Sequence, residues 1–129
     1  MAKAKILVVD DSPRIRQLLE SRLAASDYKV SLACDGEEAL RKARLERPDV
    51  ILLDISMPGM DGIEVGRILR NGVETKTIPI IMVTARGERH VMSHAVDTLK
   101  PDAYIIKPFT PGALLNSIET VLTGKEEQE

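Results

Sequence analysis

The sequence has very few cysteine and aromatic residues, and both shortages limit what it can be. Cys34 is the single cysteine, so neither an intrachain disulfide nor a metal site built from several thiolates can form. A reducing compartment suits that composition, and we expect a cytoplasmic protein. Aromatic residues make up 2% of the chain, so a core must be aliphatic. Because Cys34 closes an apolar stretch, we expect it to be a small core residue.

Long hydrophobic runs and a strong charge imbalance are also missing. The formal net charge is -2, which gives no reason to expect nucleic acid or a membrane as a direct partner. The apolar run after the N-terminal lysines covers only residues 6–9, too short for a signal-peptide core, and no stretch approaches a membrane span. The length of 129 residues fits one folded domain. We assign it to residues 1–124, followed by a charged tail at 125–129.

Short apolar segments alternate with segments of helical periodicity along the whole chain. Residues 6–9 and 50–53 are uninterrupted apolar runs, as in strands buried on both faces of a parallel sheet. Further strands are predicted at 28–32, 78–83 and 103–106, the first near a sheet edge because its apolar residues alternate with polar ones. The alternation predicts an α/β fold, a five-stranded parallel sheet with helices on both faces.

Helix-capping residues precede the helical segments. The predicted caps are Ser12 followed by Pro13, Asp35 in a capping box with Glu38, Asp61, and Thr110 followed by Pro111. Asp61 is therefore interpreted as a cap rather than a metal ligand. A weaker helical pattern covers residues 92–99, and Gly124 is expected to end the last helix. His90 and His94 are predicted to face solvent on the weaker helix and to bind no metal.

Four of the predicted strands end on residues that can take part in chemistry. Asp10 and Asp11 follow the first strand, Asp54 ends the third, Thr84 the fourth and Lys107 the fifth. The carboxyl ends of parallel strands lie at one edge of the sheet, where ligands bind in such folds. Three carboxylates crowded there repel one another unless a cation joins them. Oxygen ligands in this number suit Mg²⁺, which favours phosphoryl transfer.

Asp54 is the candidate phosphoryl acceptor, because it stands alone on the central strand and a carboxylate can accept a phosphoryl group. Lys107 would add a positive charge and Thr84 a hydroxyl donor. The alternative is that Asp54 merely ends the strand or caps a turn.

Two enzyme classes are rivals to this interpretation. The turn after the first strand, residues 10–13, contains no glycine, which argues against a nucleotide-binding loop. A Mg²⁺-dependent phosphohydrolase with an aspartyl-phosphate intermediate is closer chemically. That class typically has a second acid two residues after its nucleophile on the first strand, and Ser12 stands there instead.

The sequence resembles a response-regulator receiver domain of the chemotaxis type, the phospho-acceptor module of two-component signalling. The matching segments are residues 8–12, 53–62, 84–85 and 104–109. The resemblance implies a flavodoxin-like strand order of 2-1-3-4-5. It also implies that Asp54 accepts a phosphoryl group, that Mg²⁺ is bound by Asp10, Asp11, Asp54 and the backbone carbonyl of Ser56, and that Thr84 and Lys107 bind the phosphoryl oxygens.

The same resemblance implies partners and a switch. The donor would be a histidine kinase or histidine phosphotransfer protein, and the output a downstream protein target or an output domain missing from this chain. No turnover of an external substrate is expected, and the state would be a monomer or weak dimer. Thr84 would move toward the phosphate while Tyr104 turns inward; the alternative is that Tyr104 simply packs against the last helix. Ser56 and Arg86 occupy positions that tune the phosphate lifetime in relatives.

Two details of the C-terminal third depend on the resemblance. It implies a cis peptide bond between Lys107 and Pro108, which would aim the lysine. The sequence departs from the family where Lys100 and Pro101 replace the usual glycine and alanine. That departure does not affect the phosphorylation site. It affects the switch surface expected near Tyr104.

Overall fold

A computed structural model of the chain describes residues 4–85 and 100–127. Its elements are β1 (Lys5–Val9), α1 (Pro13–Ala25), β2 (Lys29–Ala33), α2 (Gly36–Glu46), β3 (Val50–Asp54), α3 (Gly62–Asn71), β4 (Ile80–Ala85), β5 (Ala103–Lys107) and α4 (Pro111–Glu127). The predictions for Arg86, His90, His94 and the helix at 92–99 lie outside the described residues.

The five strands form one parallel sheet in the order β2-β1-β3-β4-β5, which confirms the predicted fold. β3 lies in the middle and all five of its residues are buried, as its unbroken apolar run predicted. β2 lies at an edge, and only Ala33 of that strand is fully buried. The strand order reverses at β1 and β3, so their carboxyl ends flank the crevice in which such sheets bind ligands.

Alternating side chains of the strands build a hydrophobic core on each face of the sheet. On one face, Leu53 and Met82 pack with residues of α2 and α3. On the other face, Leu52 and Ile81 pack with residues of α1 and α4. Among the described residues, none of the helices is long and apolar enough to cross a membrane.

The predicted helix caps are present, and they set where each helix starts beside the sheet. Asp61 Oδ1 accepts a hydrogen bond from the amide of Glu64 at 2.9 Å, so Asp61 caps α3, as predicted. Asp35 caps α2 in the same way. The reciprocal bond of the capping box runs from the amide of Cys34, not Asp35, to Glu38 Oε1 at 2.7 Å.

Two local predictions were wrong. Cys34 is exposed rather than in the core, because β2 ends at Ala33 and the chain then turns outward to cap α2. Gly124 does not end the last helix, which continues to Glu127. An interior glycine costs a helix about 1 kcal/mol relative to alanine, and α4 is already held to the sheet through Leu114 and Ile118.

The turn before β5, where Lys100 and Pro101 depart from the family pattern, is anchored to α3. Arg70 Nη2 donates to Asp102 Oδ2 at 2.9 Å and to the carbonyl of Lys100 at 3.3 Å. Lys100 itself has a left-handed backbone conformation with φ of 50°. Asp102 Oδ2 also accepts the amide of Ile80 at 2.8 Å, which ties the turn to β4. The turn is therefore held without the usual glycine.

Candidate functional site

Asp10, Asp11 and Asp54, which we call the acid cluster, come together at the carboxyl edge of the sheet. One carboxylate oxygen from each lies within 4.8 Å of the other two. Asp10 and Asp54 are buried, at 3% and 5% exposure, whereas Asp11 is exposed. The structure thus brings together the three acids that the sequence placed at strand ends.

Strand register explains why Asp10, Asp54 and Lys107 converge although they are far apart in sequence. Residues two apart on a strand point to the same face. Asp10 follows Val8, Asp54 follows Leu52 and Lys107 follows Ile105 by two residues, and these three apolar residues all belong to the core beside α1 and α4. The acids and the lysine therefore continue one face of the sheet beyond its packed core.

Lys107 contacts both buried acids. Its Nζ lies 3.5 Å from Asp10 Oδ2 and 3.6 Å from Asp54 Oδ1. The peptide bond between Lys107 and Pro108 is cis, as the resemblance implied. One ammonium group offsets only one of the three carboxylate charges, so the acid cluster keeps an excess of negative charge when all three acids are ionised.

Backbone amides hold the two buried carboxylates in place. The amide of Ser12 donates to Asp10 Oδ1 at 2.9 Å, and the amide of Ser56 donates to Asp54 Oδ1 at 3.3 Å. In both cases the aspartate closes a short turn onto an amide two residues later, a local geometry that aspartate favours. These turns direct each carboxylate back toward the sheet edge.

Burial raises the pKa of the Asp54 carboxyl from 3.8 to about 6. Loss of hydration is the main cause, and the negative charge of Asp10 adds to it. The ammonium of Lys107 and the amide of Ser56 oppose the shift because both stabilise the ionised form. A nearby cation would therefore stabilise the ionised form of Asp54 and lower its pKa.

The acid cluster fits a small divalent cation. Its oxygens are hard ligands, they lie close enough together to share one ion, and one of them is exposed so that water can complete the coordination. A cation would also offset the loss of hydration and the repulsion from Asp10 that together raise the pKa of Asp54.

Thr84 and Tyr104 lie on the neighbouring strands. Thr84 is fully buried and directly follows Val83, the register partner of Asp54. Tyr104 pairs with Met82, packs against the core beside α2 and α3, and has its hydroxyl oxygen shielded from solvent. Tyr104 is thus partly buried against the sheet, with its hydroxyl oxygen enclosed.

Two further residues, which the sequence did not single out, hold the acid cluster. Arg16 donates from Nη1 to the backbone carbonyl of Asp10 at 2.7 Å. Gly62 packs so closely on β3 that a Cβ there would lie 2.1 Å from the carbonyl oxygen of Asp54. In the sequence, Gly62 is marked only by its position directly after the Asp61 cap, and Arg16 only by its position one turn into α1. Neither position by itself indicates a role at the acid cluster.

Comparisons with known proteins agree with this geometry. The family described as Response regulator receiver domain matches residues 6–119. The Bacillus subtilis transcriptional regulatory proteins PhoP and ResD are 43% and 44% identical over 95% and 93% of this chain. The matches cover 50% and 48% of those proteins, so the chain spans about half the length of these curated relatives.

Solved structures give the same result. Chemotaxis protein CheY4 of Vibrio cholerae is 37% identical with a TM-score of 0.85, and the match covers 93% of this chain and 99% of that one. The receiver domain of sensor histidine kinase PA1611 from Pseudomonas aeruginosa is 30% identical with a TM-score of 0.86, over 95% of this chain and 99% of that one. The PA1611 structure has a magnesium ion coordinated in its active-site cleft.

Proposed function

The chain belongs to the response regulator receiver domain family, and we propose on that premise that Asp54 is the residue that accepts the phosphoryl group. The observation that carries the proposal is the position of Lys107 Nζ, 3.6 Å from Asp54 Oδ1 and 3.5 Å from Asp10 Oδ2. A lysine shared between two buried acids at a ligand-binding sheet edge is the arrangement expected where a phosphoryl group enters.

The donor in this proposal is a phosphohistidine on a histidine kinase or histidine phosphotransfer protein. A carboxylate oxygen of Asp54 attacks the phosphorus, an O–P bond forms, and the P–N bond of the phosphohistidine breaks. The electron pair of that bond stays on the imidazole nitrogen, which takes up a proton. The product is an acyl phosphate on Asp54.

The other residues of the site then have defined tasks. Asp10, Asp11, Asp54 and the backbone carbonyl of Ser56 would hold Mg²⁺, which when bound would neutralise charge on the phosphoryl oxygens. Lys107 would pair with one phosphoryl oxygen in place of its present contacts with Asp10 and Asp54. The Thr84 hydroxyl, one residue past the register partner of Asp54, would donate to another.

The output in this proposal is a change of the surface around Tyr104, driven by the buried Thr84. Both residues lie on the face of the sheet that packs against α2 and α3: Met82, two residues before Thr84 on β4, is the register partner of Tyr104. Movement of Thr84 toward the phosphate would therefore alter the packing around Tyr104. The surface would act on a separate protein or on an output domain, since the curated relatives are about twice as long as this chain.

Several further properties of the chain remain predictions. The chain is a signalling domain rather than an enzyme that turns over substrate, and slow release of its own phosphoryl group is part of this proposal. The cytoplasmic location, the monomeric or weakly dimeric state and the domain limits at 124 are expectations from sequence. The expected absence of nucleic-acid binding concerns this domain only, because PhoP and ResD are named transcriptional regulatory proteins.

The experiment is phosphorylation by acetyl phosphate followed by intact mass measurement. The wild type should gain about 80 Da, one phosphoryl group, only when Mg²⁺ is present, and peptide mapping should place it on Asp54. Asp54→Asn should abolish the gain, whereas Asp61→Asn should keep it because Asp61 caps α3.

A phosphoryl group on another acid, or one that persists in Asp54→Asn, would refute the assignment of Asp54. Steady turnover of an external phosphate ester would instead support the phosphohydrolase alternative.

A further inference from the structure

The backbone carbonyl of Asp10 lies beyond the last residue at which β1 pairs with β3. That pairing ends at Val9 and Leu53, so the Asp10 carbonyl lies outside the paired part of the two strands, next to the acid cluster. Arg16 supplies the donor: its Nη1 lies 2.7 Å from the Asp10 carbonyl oxygen. A half-buried guanidinium on α1 thus reaches back to the strand end from which the helix starts.

This contact completes the anchoring of Asp10. Its amide donates to the carbonyl of Ala33 at 3.1 Å, and its two carboxylate oxygens contact the amide of Ser12 and Lys107 Nζ. The carbonyl held by Arg16 belongs to the same planar peptide unit as the amide of Asp11. Fixing that carbonyl therefore also fixes the plane from which the exposed Asp11 side chain projects.

We propose that Arg16 is a positioning residue of the magnesium site, which acts by fixing the peptide between Asp10 and Asp11. The inference rests on the proposed function, since it concerns the same cation. Arg16 does not touch the cation or the phosphoryl group. It keeps two of the three acids in the orientation in which they share one ion, as partners of metal ligands do elsewhere.

The sign of the effect separates positioning from simple charge. A positive charge near a cation site repels the cation, so removal of the Arg16 charge by itself would strengthen Mg²⁺ binding. Loss of positioning would weaken binding instead. Arg14 is a matched control, because it lies in the first turn of the same helix, carries the same charge and is exposed.

The test measures Mg²⁺ affinity of the unphosphorylated protein by isothermal titration calorimetry. The variants are Arg16→Gln, Arg16→Lys and Arg14→Gln, each checked for folding by circular dichroism. We expect Arg16→Gln to weaken Mg²⁺ binding about tenfold, the low end of the effect of such partners. Arg16→Lys, which keeps the charge and a donor, should recover part of the loss, and Arg14→Gln should bind as tightly as the wild type or more tightly.

Three results would overturn the inference. Mg²⁺ affinity of folded Arg16→Gln equal to or greater than that of the wild type would mean that the contact is only structural. Equal weakening in Arg14→Gln would mean that the position on the helix is irrelevant. If Arg16→Gln does not fold, Arg16→Lys decides: a partial loss of Mg²⁺ affinity is expected there, and affinity equal to that of the wild type refutes the positioning role of the Arg16 guanidinium. A wild type that binds no Mg²⁺ would refute the proposed metal site itself.

Discussion

Gly62 lies against the backbone of Asp54 with no space between them for a side chain. A Cβ on Gly62 would approach the carbonyl oxygen of Asp54 to 2.1 Å and the Cα of Ile55 to 2.8 Å. The amide of Gly62 donates to the carbonyl of Ile55 at 2.9 Å, which fixes this approach. The first turn of α3 therefore packs directly on the strand end that carries the proposed phosphoryl acceptor.

Gly62→Ala should lower both stability and phosphorylation. The added methyl group must push α3 away from β3, and such overpacking costs about 1–3 kcal/mol in the free energy of unfolding. The displacement should also misplace Asp54 and slow phosphorylation by acetyl phosphate. Gly112→Ala in α4 is the control, since a Cβ there meets nothing within 4 Å. Urea unfolding and the rate of mass gain measure the two effects, and wild-type values for Gly62→Ala would contradict the prediction.

Magnesium should stabilise the protein through the acid cluster. A ligand present at 100 times its dissociation constant stabilises the folded state by about 2.7 kcal/mol. Thermal unfolding with and without Mg²⁺ should show an increase in Tm for the wild type and a much smaller one for Asp10→Asn, Asp11→Asn and Asp54→Asn. Asp61→Asn should keep the full increase. Asp61 caps α3 and is not part of the acid cluster, and asparagine can cap the helix equally well. An equal response in all variants would place the ion elsewhere.

Stability without divalent ions should depend on pH through Asp54. Its pKa is about 6 in the folded protein against an ordinary value of 3.8, so between these values the folded state binds more protons than the unfolded state. Stability from this group is therefore present at low pH and lost as the pH rises through 6. The shift corresponds to at most about 3 kcal/mol, because solvent at the open edge of the sheet screens the charge.

Asp54→Asn removes this cost. Urea unfolding in the presence of a chelator should show the variant more stable than the wild type at pH 7, with the difference shrinking as the pH falls toward 4. A constant difference across that range would show that ionisation of Asp54 is not its source.

Arg70 should stabilise the turn before β5. Its Nη2 donates hydrogen bonds to Asp102 Oδ2 at 2.9 Å and to the carbonyl of Lys100 at 3.3 Å. Its Nη1 donates to the carbonyl of Ile78 at 2.9 Å. Hydrogen bonds to charged groups contribute about 1.5–3 kcal/mol each, and screening at this partly exposed site favours a total near the lower end for Arg70→Gln. Arg67→Gln, at an exposed position of α3, should change the free energy of unfolding little. Similar losses in both variants would show that only the helix charge matters.

The fold and the acid cluster were predictable because each depended on short-range patterns. Unbroken apolar runs such as residues 50–53 indicated buried strands, and parallel strands bring their carboxyl ends to one edge. Asp10, Asp54 and Lys107 were therefore expected at the same edge once the sheet was parallel, and the strand order brings them into contact. The exposure of Cys34 was not predictable, because it depends on the direction in which the chain leaves β2 to cap α2.

The amino-acid sequence alone determined the parallel α/β fold class, the helix caps and the residues of the acid cluster, since periodicity and strand-end chemistry are local properties, whereas the strand order was implied by the family resemblance. Only the tertiary structure decided how those acids are held. The bond from Arg16 to the Asp10 carbonyl, the contact of Gly62 with Asp54 and the bridge from Arg70 to Asp102 all join the ends of different elements. Such contacts depend on how helices and strands pack in space, a property that neither spacing nor composition encodes.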